Sequence, residues 1–174
     1  MGATLLLLSH TIAEQGPGMK ATPGSLGAAA WKSIITTGER TVVGIILVTH
    51  GEMATGLLDA ARMIVGPKEG IETIQLREED DVEGLMARIE AAIQKVDDGE
   101  GVLIMVDLPG ASPFNASARL AMTREHVGLI TGVNLPMLAE TLVQRDGKSL
   151  EALTEIAREA GSSGVKTLSD ILNR

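Results

Sequence analysis

The chain has 174 residues, enough for one domain with a substantial hydrophobic core. Its formal net charge of −8 at pH 7 argues against a nucleic-acid-binding protein, because such proteins concentrate positive charge. The absence of cysteine excludes disulfides, thiolate metal ligands and a cysteine nucleophile, and it fits a reducing compartment. No apolar run approaches the roughly 20 residues of a membrane span, and none resembles a secretory signal. We therefore expect a cytoplasmic protein.

Residues 1–40 differ in composition from the rest of the chain. They hold six of the 20 glycines and two of the six prolines, and they show no long hydrophobic period. Clusters of glycine and proline are typical of turns and linkers. We expect residues 1–40 to be a flexible N-terminal extension and residues 41–174 to be the folded domain.

From residue 41 onward, short apolar runs alternate with amphipathic segments. The runs predict strands over residues 42–48, 71–76, 101–106 and 127–131, and a short last strand over residues 165–168. The amphipathic segments predict helices over residues 52–65, 82–96, 112–122 and 149–160, and one from about residue 136 to 144. This alternation predicts an α/β fold with a mostly parallel open sheet and helices on both faces.

Three local signals indicate where helices begin and end. Asp80 and Glu83 have the spacing of a capping box before the second helix. Ser112, followed by Pro113, is typical of an N-cap with proline at the first helical position. The Gly-Ser-Ser-Gly sequence at residues 161–164 predicts a flexible break.

Two of the apolar strands end in residues that can carry chemistry, namely His50 and Asp107. Because the carboxyl ends of parallel strands meet at one edge of a sheet, neighbouring strands would bring these side chains together. A carboxylate beside an imidazole fixes its tautomer and supports its positive charge. Helices that begin at Glu52 and Ser112 would add amide donors suited to an anion. The combination suits an imidazole that receives and releases a phosphoryl group, although a solvent-facing histidine and a loop-capping aspartate remain alternatives.

Other chemical motifs fail on inspection. The sequence Gly147-Lys148-Ser149 resembles the end of a phosphate-binding P-loop, but Leu142 stands where that motif needs glycine. The order of His50, Asp107 and Ser112 does not fit an α/β-hydrolase. The three histidines have no metal-ligand spacing. We expect neither a metal nor a cofactor.

Three segments together resemble the mannose-type enzyme IIA of the bacterial phosphoenolpyruvate:sugar phosphotransferase system. They are residues 45–51 (IILVTHG), 106–115 (VDLPGASPFN) and 130–140 (ITGVNLPMLAE). The resemblance extends over about residues 41–168. It implies a parallel sheet with helices on both faces and a C-terminal antiparallel strand exchanged between the subunits of a homodimer. Residues 165–168 match that strand.

The same resemblance implies roles for individual residues. The small carrier protein HPr would phosphorylate His50, oriented by Asp107, and His50 would pass the group to a histidine of enzyme IIB. The implied phosphoryl-binding residues are Gly110, Ala111, Ser112 and Thr49. Enzyme IIB would be a separate chain here, and the membrane sugar permease would be served indirectly. The family often has a bulky residue and a second glycine in this loop, whereas Pro109 here removes one amide donor.

Three other functions compete with the phosphocarrier hypothesis. A regulatory module that reports carrier status would keep the same phosphorylation site. The phosphoryl-donor subunit of dihydroxyacetone kinase shares the fold and the strand-end histidine, but residues 112–115 and 132–136 favour the mannose type. A histidine phosphatase is suggested by residues 49–52, but it needs a second histidine and further arginines to hold phosphate. His126 is the only later histidine.

Overall fold

The computed structural model describes residues 41–172, and the predicted extension over residues 1–40 lies outside them. Within the described residues the chain forms four strands and six helices. In chain order these are β1 (Gly44–His50), α1 (Met53–Val65), β2 (Ile71–Leu76), α2 (Val82–Val96), β3 (Val102–Val106), α3 (Ser112–Ala121), β4 (Val127–Thr131), α4 (Leu135–Gln144), α5 (Leu150–Ser163) and α6 (Leu168–Leu172).

The four strands form one parallel sheet in the order β2-β1-β3-β4. This confirms the predicted α/β class. The central strands β1 and β3 are buried along almost their whole length, which explains their continuous apolar sequences. The chain first proceeds from β1 to one side of the sheet and then crosses to β3 on the other side. The carboxyl ends of β1 and β3 therefore flank the point where the strand order reverses, the usual place for a ligand in such a sheet.

Alternate residues of the central strands point into two separate aliphatic cores. On one face, Ile45 and Leu47 of β1 pack with side chains from α1, α4 and α5. On the other face, Ile46 and Val48 pack with side chains from α2 and α3. Burying one such side chain contributes about 1.5–3 kcal/mol. The two cores thus pack against both faces of β1. This packing fixes the position of its last residue, His50.

The predicted strand over residues 165–168 is wrong for the described chain. Residues 165–167 are irregular, and Leu168–Leu172 form the short helix α6. The reason is a capping box: the amide of Asp170 donates to Thr167 Oγ1 at 3.2 Å, and the amide of Thr167 donates to Asp170 Oδ2 at 2.8 Å. These local bonds satisfy the backbone as a helical turn, so the apolar residues there do not form a strand.

Two predicted N-caps are shifted by one residue, although both helices begin where predicted, and one predicted break is helical. The N-cap of α2 is Asp81, whose Oδ1 accepts from the amide of Gly84 at 2.6 Å, rather than Asp80. Helix α3 already includes Ser112, and Ala111 takes the N-cap position. The predicted break at residues 161–164 is wrong for its first three residues, because α5 continues to Ser163. A Cβ atom on Gly161 would lie 2.5 Å from Met137 Cε, so the end of the Met137 side chain would have to shift for a larger residue.

The start of β1 gives a test of how tightly the domain is packed. A Cβ atom on Gly44 would lie 2.5 Å from the carbonyl oxygen of Val96, at the end of α2. We expect Gly44→Ala to lower the free energy of unfolding by about 2–3 kcal/mol, because the backbone at Val96 or at residue 44 has to move. Urea unfolding followed by circular dichroism measures this change.

Gly56 provides the matched control for that substitution. It lies within α1, and a Cβ atom there would have no neighbour within 4 Å. We expect Gly56→Ala to raise the free energy of unfolding by about 0.5–1 kcal/mol through helix propensity. Equal effects of the two substitutions would contradict the close contact between β1 and α2.

Candidate active site

His50 is the last residue of β1, and its side chain is 47% exposed. The preceding strand residues are buried, so the chain reaches the surface at the imidazole. Gly51 follows with a φ of 52°, a left-handed conformation that suits glycine and turns the chain sharply into α1. The amide of Gly51 donates to the carbonyl of Leu76 on β2 at 2.9 Å, which holds this turn against the edge strand.

Asp107 follows β3 directly and meets His50, as the sequence predicts. Its Oδ2 accepts from the backbone amide of His50 at 2.8 Å and lies 2.8 Å from His50 Nδ1. Its Oδ1 accepts from the amide of Leu108 at 2.8 Å. The carboxylate is nearly buried, with its side chain 9% exposed. Two strand ends and a loop amide therefore fix the carboxylate beneath the imidazole.

This contact determines which nitrogen of the neutral ring keeps its lone pair. Burial opposes ionisation of Asp107, but the hydrogen bonds from His50 and Leu108 outweigh it and lower the pKa of the carboxyl group. An ionised carboxylate can only accept, so His50 Nδ1 carries the proton in the neutral ring. The lone pair then lies on Nε2, the nitrogen away from Asp107. The geometry provides an oriented imidazole with a nucleophilic Nε2.

Both helices that begin at the site lack a side-chain hydrogen bond at the N-cap. Glu52 holds that position in α1, and Ala111 holds it in α3. The other three long helices are capped by side chains, namely those of Asp81, Asn134 and Ser149. Amides of an uncapped first turn attract anions. The first turn of α3 therefore favours a negatively charged group, and so does that of α1 apart from the Ala54 amide, which donates to Thr49 Oγ1.

The predicted phosphoryl-binding residues divide into two groups. Ser112 lines a cleft of about 580 Å³ together with His50 and Gly51. Gly110 and Ala111 lie in the loop that leads to Ser112, and Asn115 Nδ2 steadies this loop by donating to the carbonyl of Gly110 at 2.9 Å. This loop and the imidazole thus lie at the same end of the sheet.

Thr49 differs from the other three predicted phosphoryl-binding residues, because its hydroxyl lies inside the fold. The residue is fully buried, and its Oγ1 accepts from the amide of Ala54 at 2.8 Å. The hydroxyl therefore satisfies one first-turn amide of α1 from within. The structure does not bring Thr49 to the cleft surface, and its observed contacts position the turn that carries His50.

Arg77 is a cleft residue that sequence reasoning missed. It follows β2, the strand that pairs with β1, and it lines the same cleft as His50. Its Nη2 donates to Glu52 Oε1 at 3.2 Å. The sequence signal was a cation directly after a strand, at the edge where His50 and Asp107 were already placed.

The second histidine of the described chain lies elsewhere. His126 precedes β4, so it belongs to the amino ends of the strands, at the opposite edge from His50. The arrangement of two histidines around one phosphate, which a histidine phosphatase needs, is not formed by His50 and His126. Within residues 41–172, no group of three or more His, Asp or Glu side chains could hold a metal ion.

Comparison with known proteins identifies the family. Residues 44–158 match the family model EIIA-man, described as the fructose IIA component of the phosphotransferase system. The chain belongs to the mannose-type enzyme IIA family. The match includes His50, Asp107 and the loop up to Ser112, so it confirms the family resemblance seen in the sequence. No helix in residues 41–172 has the length and apolar character to span a membrane.

Relatives of this enzyme IIA chain carry names from the same transport system. The mannose-specific EIIAB component of Escherichia coli K12 is 41% identical over 127 residues, covering 72% of this chain. The aligned region is only 39% of that relative's length. The fructose-specific EIIA component of Bacillus subtilis is 23% identical over 133 residues, covering 76% of this chain and 91% of the relative.

Solved structures of enzyme IIA proteins share the fold. The phosphotransferase component EIIA from Streptococcus agalactiae superimposes with a TM-score of 0.68 at 24% identity, covering 74% of this chain and 98% of that one. The mannose/sorbose-specific IIA subunit from Enterococcus faecalis gives a TM-score of 0.63 at 28% identity, covering 72% and 94%. These structures support the fold class derived from the strand order.

The Asp107 carboxylate makes the stability of this enzyme IIA depend on pH. Its folded pKa lies below the ordinary value of 3.8, so its hydrogen bonds stabilise the fold above that pH. This stabilisation is lost as the pH falls through the folded pKa. We expect Asp107→Asn to cost most stability near neutral pH, and the cost to shrink below about pH 4. Urea unfolding of both proteins at several pH values measures the difference, and a cost that does not change with pH would contradict it.

Proposed function

We propose that this enzyme IIA chain is a phosphocarrier in sugar uptake. His50 accepts a phosphoryl group from HPr and passes it to a histidine of enzyme IIB. The observation that carries the proposal is the contact of Asp107 with His50 Nδ1, which leaves Nε2 as the nucleophile beside the cleft. Family membership supports the general role, and the shorter Bacillus subtilis relative is named as an EIIA component without a B part.

The proposed transfer exchanges one phosphorus–nitrogen bond for another. The lone pair of His50 Nε2 attacks the phosphorus of phosphorylated HPr, and the bond to the donor nitrogen breaks with its electron pair returning to the donor ring. The proton on His50 Nδ1 stays in place, so the phosphorylated ring becomes positively charged. Asp107 balances that charge across a 2.8 Å hydrogen bond. Transfer to enzyme IIB repeats the exchange in the forward direction, and it needs no cofactor.

The loop before α3 is the proposed cradle for the phosphoryl oxygens. Gly110 lies in this loop, Ala111 is the N-cap of α3 and Ser112 is its first residue, and the N-cap makes no side-chain hydrogen bond. A negative group near such an N-terminus is stabilised by free amides and by the helix dipole. Pro113 comes second in the helix and contributes no amide, so the donors must come from residues before it and from Phe114. Thr49 acts from inside by holding the turn after β1.

The proposed partners follow from the same role. HPr is the donor, enzyme IIB is the acceptor, and a membrane sugar permease is served through enzyme IIB. A homodimer is the expected assembly. Strand exchange through residues 165–168 is not part of the proposal, because those residues do not form a strand in the described chain.

Reconstituted transfer tests the function directly. The purified chain is incubated with enzyme I, HPr and phosphoenolpyruvate, and intact mass spectrometry follows the phosphoryl group. We expect one acid-labile phosphoryl group per chain, dependent on HPr, that leaves when an enzyme IIB is added. Failure to label would contradict the proposal. If the chain accepts a phosphoryl group but does not pass it to any enzyme IIB encoded by a neighbouring gene, the regulatory hypothesis would be favoured.

A further inference from the structure

Arg77 directly follows β2, the strand that pairs with β1 beside His50. His50 is paired with Leu76 in the register of β1 and β2, and the Gly51 amide bonds to the Leu76 carbonyl. Arg77 is therefore the first residue beyond the level of the imidazole. Adjacent strands lie about 4.8 Å apart, a gap that an arginine side chain can span. Both residues line the same cleft of about 580 Å³.

The backbone of Arg77 is firmly held, whereas its guanidinium is held weakly. The Arg77 amide donates to Asp80 Oδ2 at 2.8 Å, and Arg88 Nη2 donates to the same oxygen at 2.6 Å. The Arg77 guanidinium contacts Glu52 at 3.2 Å, with the two side chains 58% and 71% exposed. Exposed ion pairs of this kind are weak and easily exchanged. The backbone of Arg77 is therefore fixed, whereas its guanidinium can exchange one ion-pair partner for another.

The charges around the cleft make one exchange favourable. The other charged side chains that line it with Arg77 are Glu78 and Asp80, both acidic. A phosphoryl group carries more negative charge than the Glu52 carboxylate. The guanidinium also matches phosphate with two parallel hydrogen bonds. Without Arg77, the charged side chains that line the cleft would both be acidic, with Asp80 already paired with Arg88.

We propose that Arg77 is a phosphoryl-binding residue that leaves Glu52 and pairs with the phosphoryl group on His50 Nε2. This inference rests on the proposed phosphocarrier function. No bond to phosphorus changes in this step; one ion pair replaces another. Arg77 then stabilises the phosphorylated form of the chain. Glu52 competes with the phosphoryl group for the Arg77 guanidinium. The two side chains together adjust how far the phosphoryl group moves from HPr onto this protein.

The equilibrium constant for exchange between phosphorylated HPr and this chain tests the proposal. Purified proteins are mixed and the phosphorylated fraction of each is measured by mass spectrometry. We expect Arg77→Gln to shift the equilibrium toward phosphorylated HPr by about threefold to tenfold. Glu52→Gln should shift it in the opposite direction by a smaller factor, since Arg77 loses its competing partner. Both shifts should shrink at high salt.

Arg158 provides the matched control. It is 59% exposed and paired with Glu155 on α5, away from the cleft. Arg158→Gln should leave the equilibrium unchanged, and urea unfolding should confirm that all three variants are folded. If Arg77→Gln matches Arg158→Gln while His50 is fully phosphorylated, the role of Arg77 is refuted and the phosphocarrier function stands. If the wild-type chain takes up no phosphoryl group, both proposals fail.

Discussion

A His50→Gln protein is expected to take up no phosphoryl group from HPr under conditions that fully label the wild-type chain. Glutamine has a similar size, but its amide nitrogen has no available lone pair to attack phosphorus. The imidazole is held at the end of β1 by buried neighbours, and the paired Asp107 leaves its Nε2 unprotonated. No other described residue combines these features. Intact mass spectrometry after incubation with enzyme I, HPr and phosphoenolpyruvate measures the loss.

His126 supplies the control for that experiment. It is also a histidine beside an aspartate, with Nε2 3.6 Å from Asp97 Oδ2 and a side chain that is 60% exposed. It lies at the opposite edge of the sheet, without a helix N-terminus of the kind found beside His50. His126→Gln should be labelled as the wild type is. Full labelling of His50→Gln, with loss in His126→Gln, would show that the wrong histidine has been assigned.

The second large effect is expected for Asp107→Asn, which should slow phosphoryl transfer from HPr by about 10²-fold to 10⁴-fold. Asp107 Oδ2 accepts from both the His50 amide and Nδ1. An asparagine must either keep an oxygen there, without charge, or present an NH₂ group to two donors. In both cases the phosphorylated ring loses the anion that balances its positive charge. Rapid-quench measurement of the first transfer gives the rate.

A matched variant separates this electrostatic effect from a general loss of stability. Asp97 accepts from the amide of Gly99 at 3.0 Å and also faces a histidine, but far from the cleft. Asp97→Asn should transfer at the wild-type rate once its folded fraction is taken into account. A rate for Asp107→Asn equal to that of Asp97→Asn would contradict the role of the carboxylate.

The fold was largely predictable because a strand that is buried on both faces has a continuously apolar sequence. The runs that became β1 and β3 are apolar throughout, and the alternation of β2 matched its place at the sheet edge. The candidate site followed from the same rule, since parallel neighbours bring their last residues together. What the sequence left open was whether β1 and β3 are neighbours, because strand order depends on crossovers rather than on local pattern.

Two of the errors have the same physical cause, which is competition between equivalent local groups. Asp80 and Asp81 both suit an N-cap, and the choice of Asp81 follows from Asp80 being bound by Arg77 and Arg88. Thr49 could face outward or inward, and it faces inward because its hydroxyl accepts from the Ala54 amide. Such choices depend on tertiary partners. Arg77 was missed because it follows an edge strand that does not end in a histidine or an acidic residue.

The most direct test of the central claim is to identify the phosphorylated atom. The chain is prepared with ¹⁵N-labelled histidine, phosphorylated through HPr, and studied by ¹⁵N and ³¹P NMR. Asp107 holds the proton on Nδ1, so the phosphorus should couple to Nε2 of His50. Coupling of the phosphorus to Nδ1 of His50, or to any other residue, would contradict the claim that Nε2 of His50 carries the phosphoryl group.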